Sequence, residues 1–190
     1  GCGFGRHAYE AARRGAHVIA LDAGEDEVNG VAGTFAAMVE QGELSPETTK
    51  VGVVRGDALH LPFADGTFDR VLCSEVLEHV DNPSELLRNA REFLAPGARV
   101  VVTVPAGPRT AFDKSIGHRQ HFTKRSIRQV LVDAGLMREG VFADDRFVRL
   151  RTEGDDGAQQ LACGEQVFCD DLGMVRIAVL ARVHRHDYFF

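Results

Sequence analysis

No stretch of this sequence is apolar for long enough to span a membrane as a helix. There is no internal repeat and no CxxC. The four cysteines, Cys2, Cys73, Cys163 and Cys169, stand apart, and the Cys163–Cys169 spacing fits no strong zinc pattern. They read as unpaired thiols of a cytoplasmic protein. Basic excess is also missing. Formal charge is −6 and the isoelectric point about 5.7, which argues against a broad electrostatic grip on nucleic acid. The run Lys124-Arg125-Ser126-Ile127-Arg128 is therefore read as the solvated face of a helix. Finally, no strand precedes Gly1, although the glycine-rich stretch there needs one to feed it. The sequence reads as a single domain over 1–190, truncated at its amino terminus with its first strand missing, and it leaves an upstream signal peptide open.

What is present is ordinary for a globular chain: 190 residues, 44% hydrophobic and 26% charged. Gly1-Cys2-Gly3-Phe4-Gly5 carries a glycine at every other position. Arg6 to Arg14 follows as a helix, Gly15 breaks it, and His17 to Leu21 reads as a buried strand ending in Asp22. A glycine loop, a helix, a strand and then an acid is the layout of a nucleotide site in an open α/β sheet.

Further on, Glu25 to Gln41 has helical spacing in Val28, Val31, Phe35, Met38 and Val39. Val51 to Arg55 and Phe68 to Cys73 read as strands. Asn82 and Pro83 open a helix that carries Leu86, Leu87, Ala90, Phe93 and Leu94 and stops at Pro96-Gly97. Arg99 to Val104 is a strand covered on both faces. Pro105 to His121 is a long irregular segment of the kind that forms a lid. Thr123 caps a helix closed by Gly135. Val141 to Leu150 and Met174 to Val183 read as strands, while 151–173 is polar and carries no readable pattern. The alternation of strand and helix predicts an open, mostly parallel sheet with helices on both faces and an antiparallel edge strand.

Four segments fall at the carboxyl ends of these strands, where such sheets bind ligands: Gly1 to Gly5, Asp22-Ala23, Asp57-Ala58-Leu59 and Cys73-Ser74-Glu75. Two acids beside a glycine loop suit ribose hydroxyls and an adenine amine, and would repel a 2′-phosphate. Dinucleotide loops run G-x-G-x-x-G, whereas this one runs G-x-G-x-G with Arg6 at the sixth place. That departure argues against a nicotinamide-dependent oxidoreductase.

With those residues in view, the chain resembles the S-adenosylmethionine-dependent methyltransferases with a Rossmann-like sheet, in the small-molecule type 11 branch that includes quinone-biosynthesis enzymes. The match is carried by GCGFGRH with Asp22 beyond it, GDALHLPFADGTFDRVLCSEVLEHV, FLAPGARVVVTVP and GHRQHFTKRSIRQVLVDAGL. The resemblance implies sheet order 3-2-1-4-5-7-6 with strand 7 antiparallel. It implies S-adenosyl-L-methionine as cofactor, with Gly1, Gly3 and Gly5 along its methionine and ribose portion. Asp22 then takes the ribose hydroxyls, Ala23 packs on adenine, and Asp57 and Ala58, with Leu59 beside them, bind the adenine edge. Cys73 and Ser74 close the methionine side.

Each of these residues also has a plainer reading: the glycines as a tight turn, Asp22 as a helix cap, Asp57 as a turn former. Asp22, at a loop end, is expected to lie outside the core. His79 and His121 are the candidate catalytic bases, because imidazole titrates near neutrality, and either can equally be a packed histidine. His118 and His121 have metal-like spacing but lack a third ligand, so no metal is expected. Phe112 and Phe122 either cover an apolar acceptor or anchor the loop. The expected activity is methyl transfer to oxygen or carbon of a small-molecule acceptor. The competing readings are a non-catalytic methyltransferase-like binding module and a methyltransferase acting on RNA or protein. Oligomeric state is not readable.

Overall fold

A computed structural model describes residues 1–136, 148–151 and 176–181. Its elements are α1 (Arg6–Arg13), β1 (His17–Asp22), α2 (Glu25–Glu40), β2 (Val51–Arg55) and β3 (Phe68–Ser74), then α3 (Pro83–Glu92), β4 (Leu94–Pro105), α4 (Ala111–Ser115) and α5 (Lys124–Asp133), and last β5 (Val148–Arg151) and β6 (Arg176–Ala181). A single 3₁₀ turn, Leu77–His79, follows β3.

Local chemistry sets the helix ends. α1 buries Ala8, Ala11 and Ala12 and stops where Gly15 takes φ 84°. There the Ala16 amide donates to Ala11 and the Gly15 amide to Ala12, closing the last turn with left-handed glycine. α2 opens on Glu25, Asp26 and Glu27, three carboxylates at the positive end of its dipole. As expected, Asn82 caps α3, its side-chain oxygen accepting from the Glu85 amide, with Pro83 at the first helical position. Thr123 caps α5, accepting from the Ser126 amide.

The sheet runs β2-β1-β6-β3-β4-β5. Strand periodicity divides the core. Val18 and Ala20 of β1, Leu72 of β3 and Val101 of β4 face one side, against Ala8, Ala11, Val31, Phe35 and Met38 of α1 and α2. Ile19, Leu21, Val71, Cys73, Val102 and Val104 face the other, against Leu86, Leu87, Ile127 and Leu131 of α3 and α5. Each fully buried Leu, Val or Phe here contributes about 1.5–3 kcal/mol. Tyr9 meets Phe35 edge-on with centroids 5.2 Å apart, which adds about 0.5–1.5 kcal/mol between the two helices.

β1 pairs in parallel with β2, and β3 with β4, with a gap of one strand between β1 and β3. That matches the alternation. The gap itself is filled: β6 lies in it, parallel to both neighbours, with Ile177 beside Val18 on one side and Arg70 on the other. This corrects the expectation of an antiparallel edge, because β5 at the edge is parallel to β4 and every pairing among the described strands is parallel. The strand that fills the gap, within the expected Met174 to Val183, is apolar from Ile177 to Ala181, as a central strand needs to be. Hydrophobicity alone does not say which slot it enters. β4 also begins earlier than its β-branched run, passing through Pro96 and Gly97 with an irregular register opposite Phe68 and Arg70. The expected strand residues 141–147 and the segment 152–175 lie outside the described residues.

Candidate active site

Parallel pairing brings the carboxyl ends of β1, β2, β3 and β4 to one edge of the sheet. Asp22 lies beside Arg55, and Ser74 beside Thr103 and Ala181. The four segments expected there are there.

The glycine loop lies across the end of β1. The amino group of Gly1 and the amide of Cys2 both donate to the Leu21 carbonyl, at 2.9 and 2.7 Å. Gly3 and Gly5 have φ 53° and 83°, conformations that favour glycine. At Gly5 the need is also steric. A Cβ there would sit 2.6 Å from the Tyr9 ring and 2.9 Å from Val31, so α1 and α2 pack directly onto the loop backbone.

Asp22 does more than the sequence suggested. One carboxylate oxygen accepts from the Gly3 amide at 2.8 Å and the other from the Gly24 amide at 2.9 Å. The residue is only 9% exposed, so the expectation that it lies outside the core is corrected. It clamps the glycine loop to the start of α2 and still has lone pairs to offer a ribose. Asp57 sits at the end of β2 and is exposed. Its Oδ1 accepts from the Leu59 amide at 2.9 Å and its Oδ2 faces His60. The Leu59 amide is the chief cause holding its carboxyl below the ordinary value. Ala23 is exposed, while Ala58 and Leu59 are half-buried with their apolar parts against the core.

Cys73 is sealed, with 0% exposure, and desolvation pushes its thiol up to about 12. Its thiol is closed off from anything arriving at the strand end. Ser74 lies at the strand end, its hydroxyl 2.6 Å from that of Thr103, which in turn donates to Glu75 at 3.1 Å. Glu75 has φ 55°, the one non-glycine residue among those described with positive φ. Such strain clusters at ligand sites. By sequence, Glu75 falls at the ligand edge with no role assigned to it.

His79, His118 and His121 form one group. The His79 ring nitrogen Nδ1 lies 3.1 Å from the Gly117 carbonyl, and His118 Nδ1 lies 2.8 Å from His121 Nε2. Glu78, completely buried, places Oε1 4.0 Å from the Nε2 atoms of both His79 and His118. Asp113 lies 3.8 Å from His118 and from His121. Spacing alone showed His118 and His121. It missed Glu78 and Asp113, because they approach from the turn after β3 and from α4.

The segment expected as a lid divides in two. Its end is fastened: the Glu78 carbonyl accepts from the Arg119 amide at 2.7 Å, Gln120 donates to Val80 at 3.0 Å, and the Phe122 amide donates to Pro105 at 3.0 Å. Phe122 is 2% exposed, an anchor in the core. Phe112, on α4, is 54% exposed. Only the stretch around α4 has the surface character of a lid.

This arrangement is a glycine loop over a parallel sheet, clamped by an acid at the end of the next strand. The methyltransferase domain family matches residues 1–102, more than half of the 190. The chain belongs to this family of Rossmann-like, S-adenosyl-L-methionine-dependent methyltransferases.

Among curated relatives, it is 35% identical over 119 residues to a ubiquinone biosynthesis O-methyltransferase of Aeromonas salmonicida, covering 62% of this chain and 46% of that one. It is 47% identical over 53 residues to norajmaline N-methyltransferase of Rauvolfia serpentina, covering 28% and 18%. The chain thus spans about half the length, or less, of these two relatives. Among solved structures, the [4+2]-cyclase SpnF superposes with TM-score 0.58 at 25% identity, over 71% of this chain and 48% of that one. An S-adenosylmethionine-dependent methyltransferase from Mesorhizobium loti superposes with TM-score 0.56 at 23% identity, over 71% of each chain.

Proposed function

We propose that residues 1–190 act as one domain that moves a methyl group from S-adenosyl-L-methionine to an oxygen or carbon of a small-molecule acceptor. The observation that carries this is the Asp22 clamp, which ties the glycine loop to the start of α2 and leaves an acid at the end of β1 for ribose hydroxyls. The loop fits the cofactor. Gly5 caps α1 without a side chain, and no acid occupies the first turn of that helix, so its positive end suits a carboxylate. In this reading Gly1, Gly3 and Gly5 line the cofactor, Asp22 and Ala23 hold the ribose and adenine, Asp57, Ala58 and Leu59 hold the adenine edge, and Cys73 and Ser74 close the methionine side.

When bound, the cofactor supplies an electrophilic methyl carbon on a sulfonium and leaves as a neutral thioether. The chain's own task is alignment, which can supply about 7–11 kcal/mol of the barrier. An oxygen acceptor must lose its proton, and His121, or His79 in its place, is proposed to take it. The relatives named for O-methylation support an oxygen acceptor. We place the protein in the cytoplasm. No helix among the described residues is long and apolar enough to cross a membrane.

Isothermal calorimetry tests the cofactor half. S-adenosylmethionine or its demethylated product should bind more tightly than NAD, and tighter NAD binding would remove the reading. The cyclase neighbour shows that this fold hosts other chemistry. Tight cofactor binding without release of demethylated product across an acceptor screen would favour a methyltransferase-like module.

A further inference from the structure

The carboxyl edge of β3 and β4 carries a chain of three side chains whose hydrogens follow from their partners. Ser74 and Thr103 are register partners on these parallel strands, and their hydroxyl oxygens lie 2.6 Å apart. Thr103 Oγ1 also lies 3.1 Å from Oε1 of Glu75. A carboxylate only accepts, and a hydroxyl carries a single hydrogen. The Thr103 hydrogen therefore goes to Glu75. One hydroxyl must still donate across the 2.6 Å contact, and that leaves Ser74. The order runs from Ser74 to Thr103 to Glu75, and Ser74 is left with lone pairs and no hydrogen to give.

The pair stands on the side of the sheet that carries the glycine loop. Leu72, two residues before Ser74, packs with Cys2, Ala8 and Val31, and Val101, two before Thr103, packs against the same group. Side chains two apart in a strand share a face, so Ser74 and Thr103 extend that face to the strand ends. Ser74 is buried and Thr103 half-buried, which shelters their hydrogen bonds from water. The positive φ of Glu75 belongs to the same arrangement. At φ 55° the chain turns back over β4, where the Glu75 amide donates to the Thr103 carbonyl at 3.0 Å and its carboxylate takes the Thr103 hydroxyl. Glu75 is thus fastened to Thr103 at two points, and the strained backbone holds the acid there.

We propose that Thr103 and Glu75 are positioning residues that commit the Ser74 hydroxyl as an acceptor, so that this edge of the site takes the ammonium group of a ligand. With S-adenosyl-L-methionine as that ligand, a reading on which this rests, the amino-acid end brings an ammonium rich in N–H donors and a carboxylate with none. Ser74 so held can receive the first and has nothing to give the second. The negative charge at the end of the chain makes it a better acceptor, because linked hydrogen bonds polarise one another. The carboxylate is left to the amino-terminal end of α1, where Gly5 precedes a first turn without acids. The chain thereby tells the two charged groups apart, and a ligand without the ammonium gains nothing from Ser74.

Calorimetry on the full chain compares two probes, S-adenosylhomocysteine and its deaminated analogue, which keeps the carboxylate. Wild-type protein should bind the first more tightly. Ser74→Ala should weaken S-adenosylhomocysteine about tenfold or more, the usual worth of a hydrogen bond to a charged group. Thr103→Val, equal in shape but without the hydroxyl, and Glu75→Ala, which releases the Thr103 hydrogen, should each weaken it about threefold or more. Thr103→Ser should restore it. All of these variants should hold the deaminated analogue within about twofold of wild type. If Glu75→Ala disturbs the turn and fails to fold, the Thr103→Val and Thr103→Ser pair decides. Equal loss for both probes means that the three side chains only shape the edge, and it overturns the proposal. Unchanged affinities in the variants, or a wild type that binds both probes alike, overturn it too and leave the cofactor reading standing. A wild type that binds neither probe removes the cofactor reading and this proposal with it.

Discussion

Replacing Asp22 by alanine removes the acceptor of two backbone amides at once. The Gly3 amide is buried, so leaving it without its 2.8 Å partner costs about 1–3 kcal/mol of stability. The Gly24 amide, at 2.9 Å, is less enclosed and can turn to water at smaller cost. Cofactor affinity falls separately, because charge-assisted bonds to ribose hydroxyls are worth about 1.5–3 kcal/mol, roughly tenfold to a hundredfold in dissociation constant. Asp22→Asn should land between wild type and alanine. It keeps one acceptor oxygen but turns an NH₂ toward the other amide. Urea unfolding reads the first quantity, and calorimetry with S-adenosylmethionine reads the second. If Asp22→Ala loses neither stability nor affinity, the clamp is not what shapes the loop and the ribose role is wrong. If it loses stability alone, Asp22 is structural.

His121→Ala should lower turnover or raise the acceptor's KM while leaving cofactor affinity within about 0.5 kcal/mol, the usual range for changes away from a binding site. Equal loss of cofactor binding would move His121 into the cofactor pocket. Cys2 and Cys73, both buried, have thiols pushed up by desolvation to about 11 and about 12, from an ordinary 9.0. Iodoacetamide at pH 8 followed by peptide mapping should find both unmodified in the folded protein and modified in urea. Rapid labelling of Cys73 in the native state would contradict its burial. The same shifts fix a sign. The folded state holds these protons more tightly, so their contribution to stability is intact below about 9 and is lost as pH rises towards 12. Urea midpoints across that range check it.

How much of this was legible in the sequence depended on whether the signal was local. Caps at Asn82 and Thr123 were readable because the donor is three residues from the acceptor. The buried faces of α2 and α3 were readable from helical spacing, and the ligand edge from acids and glycines at strand ends. The slot taken by β6 was not, because a strand's apolarity reports that it is covered and not by which neighbours. Nor was the Gly3 amide as a partner of Asp22, because it lies 19 residues back. Glu78 and Asp113 were passed over for the same reason. Each looks like one more surface acid until the chain folds it against an imidazole from elsewhere.

The close fit of Tyr9 and Val31 against Gly5, together with the Asp22 carboxylate on Gly3, has a consequence for how a ligand is received. Loops that order on binding charge that entropy to the ligand, at about 1–2 kcal/mol for each residue fixed. Here the turn is already immobilised by the chain's own groups before anything arrives. Association is therefore expected to resemble docking onto a rigid surface, with the affinity of the intact site reflecting its contacts rather than the work of assembling it.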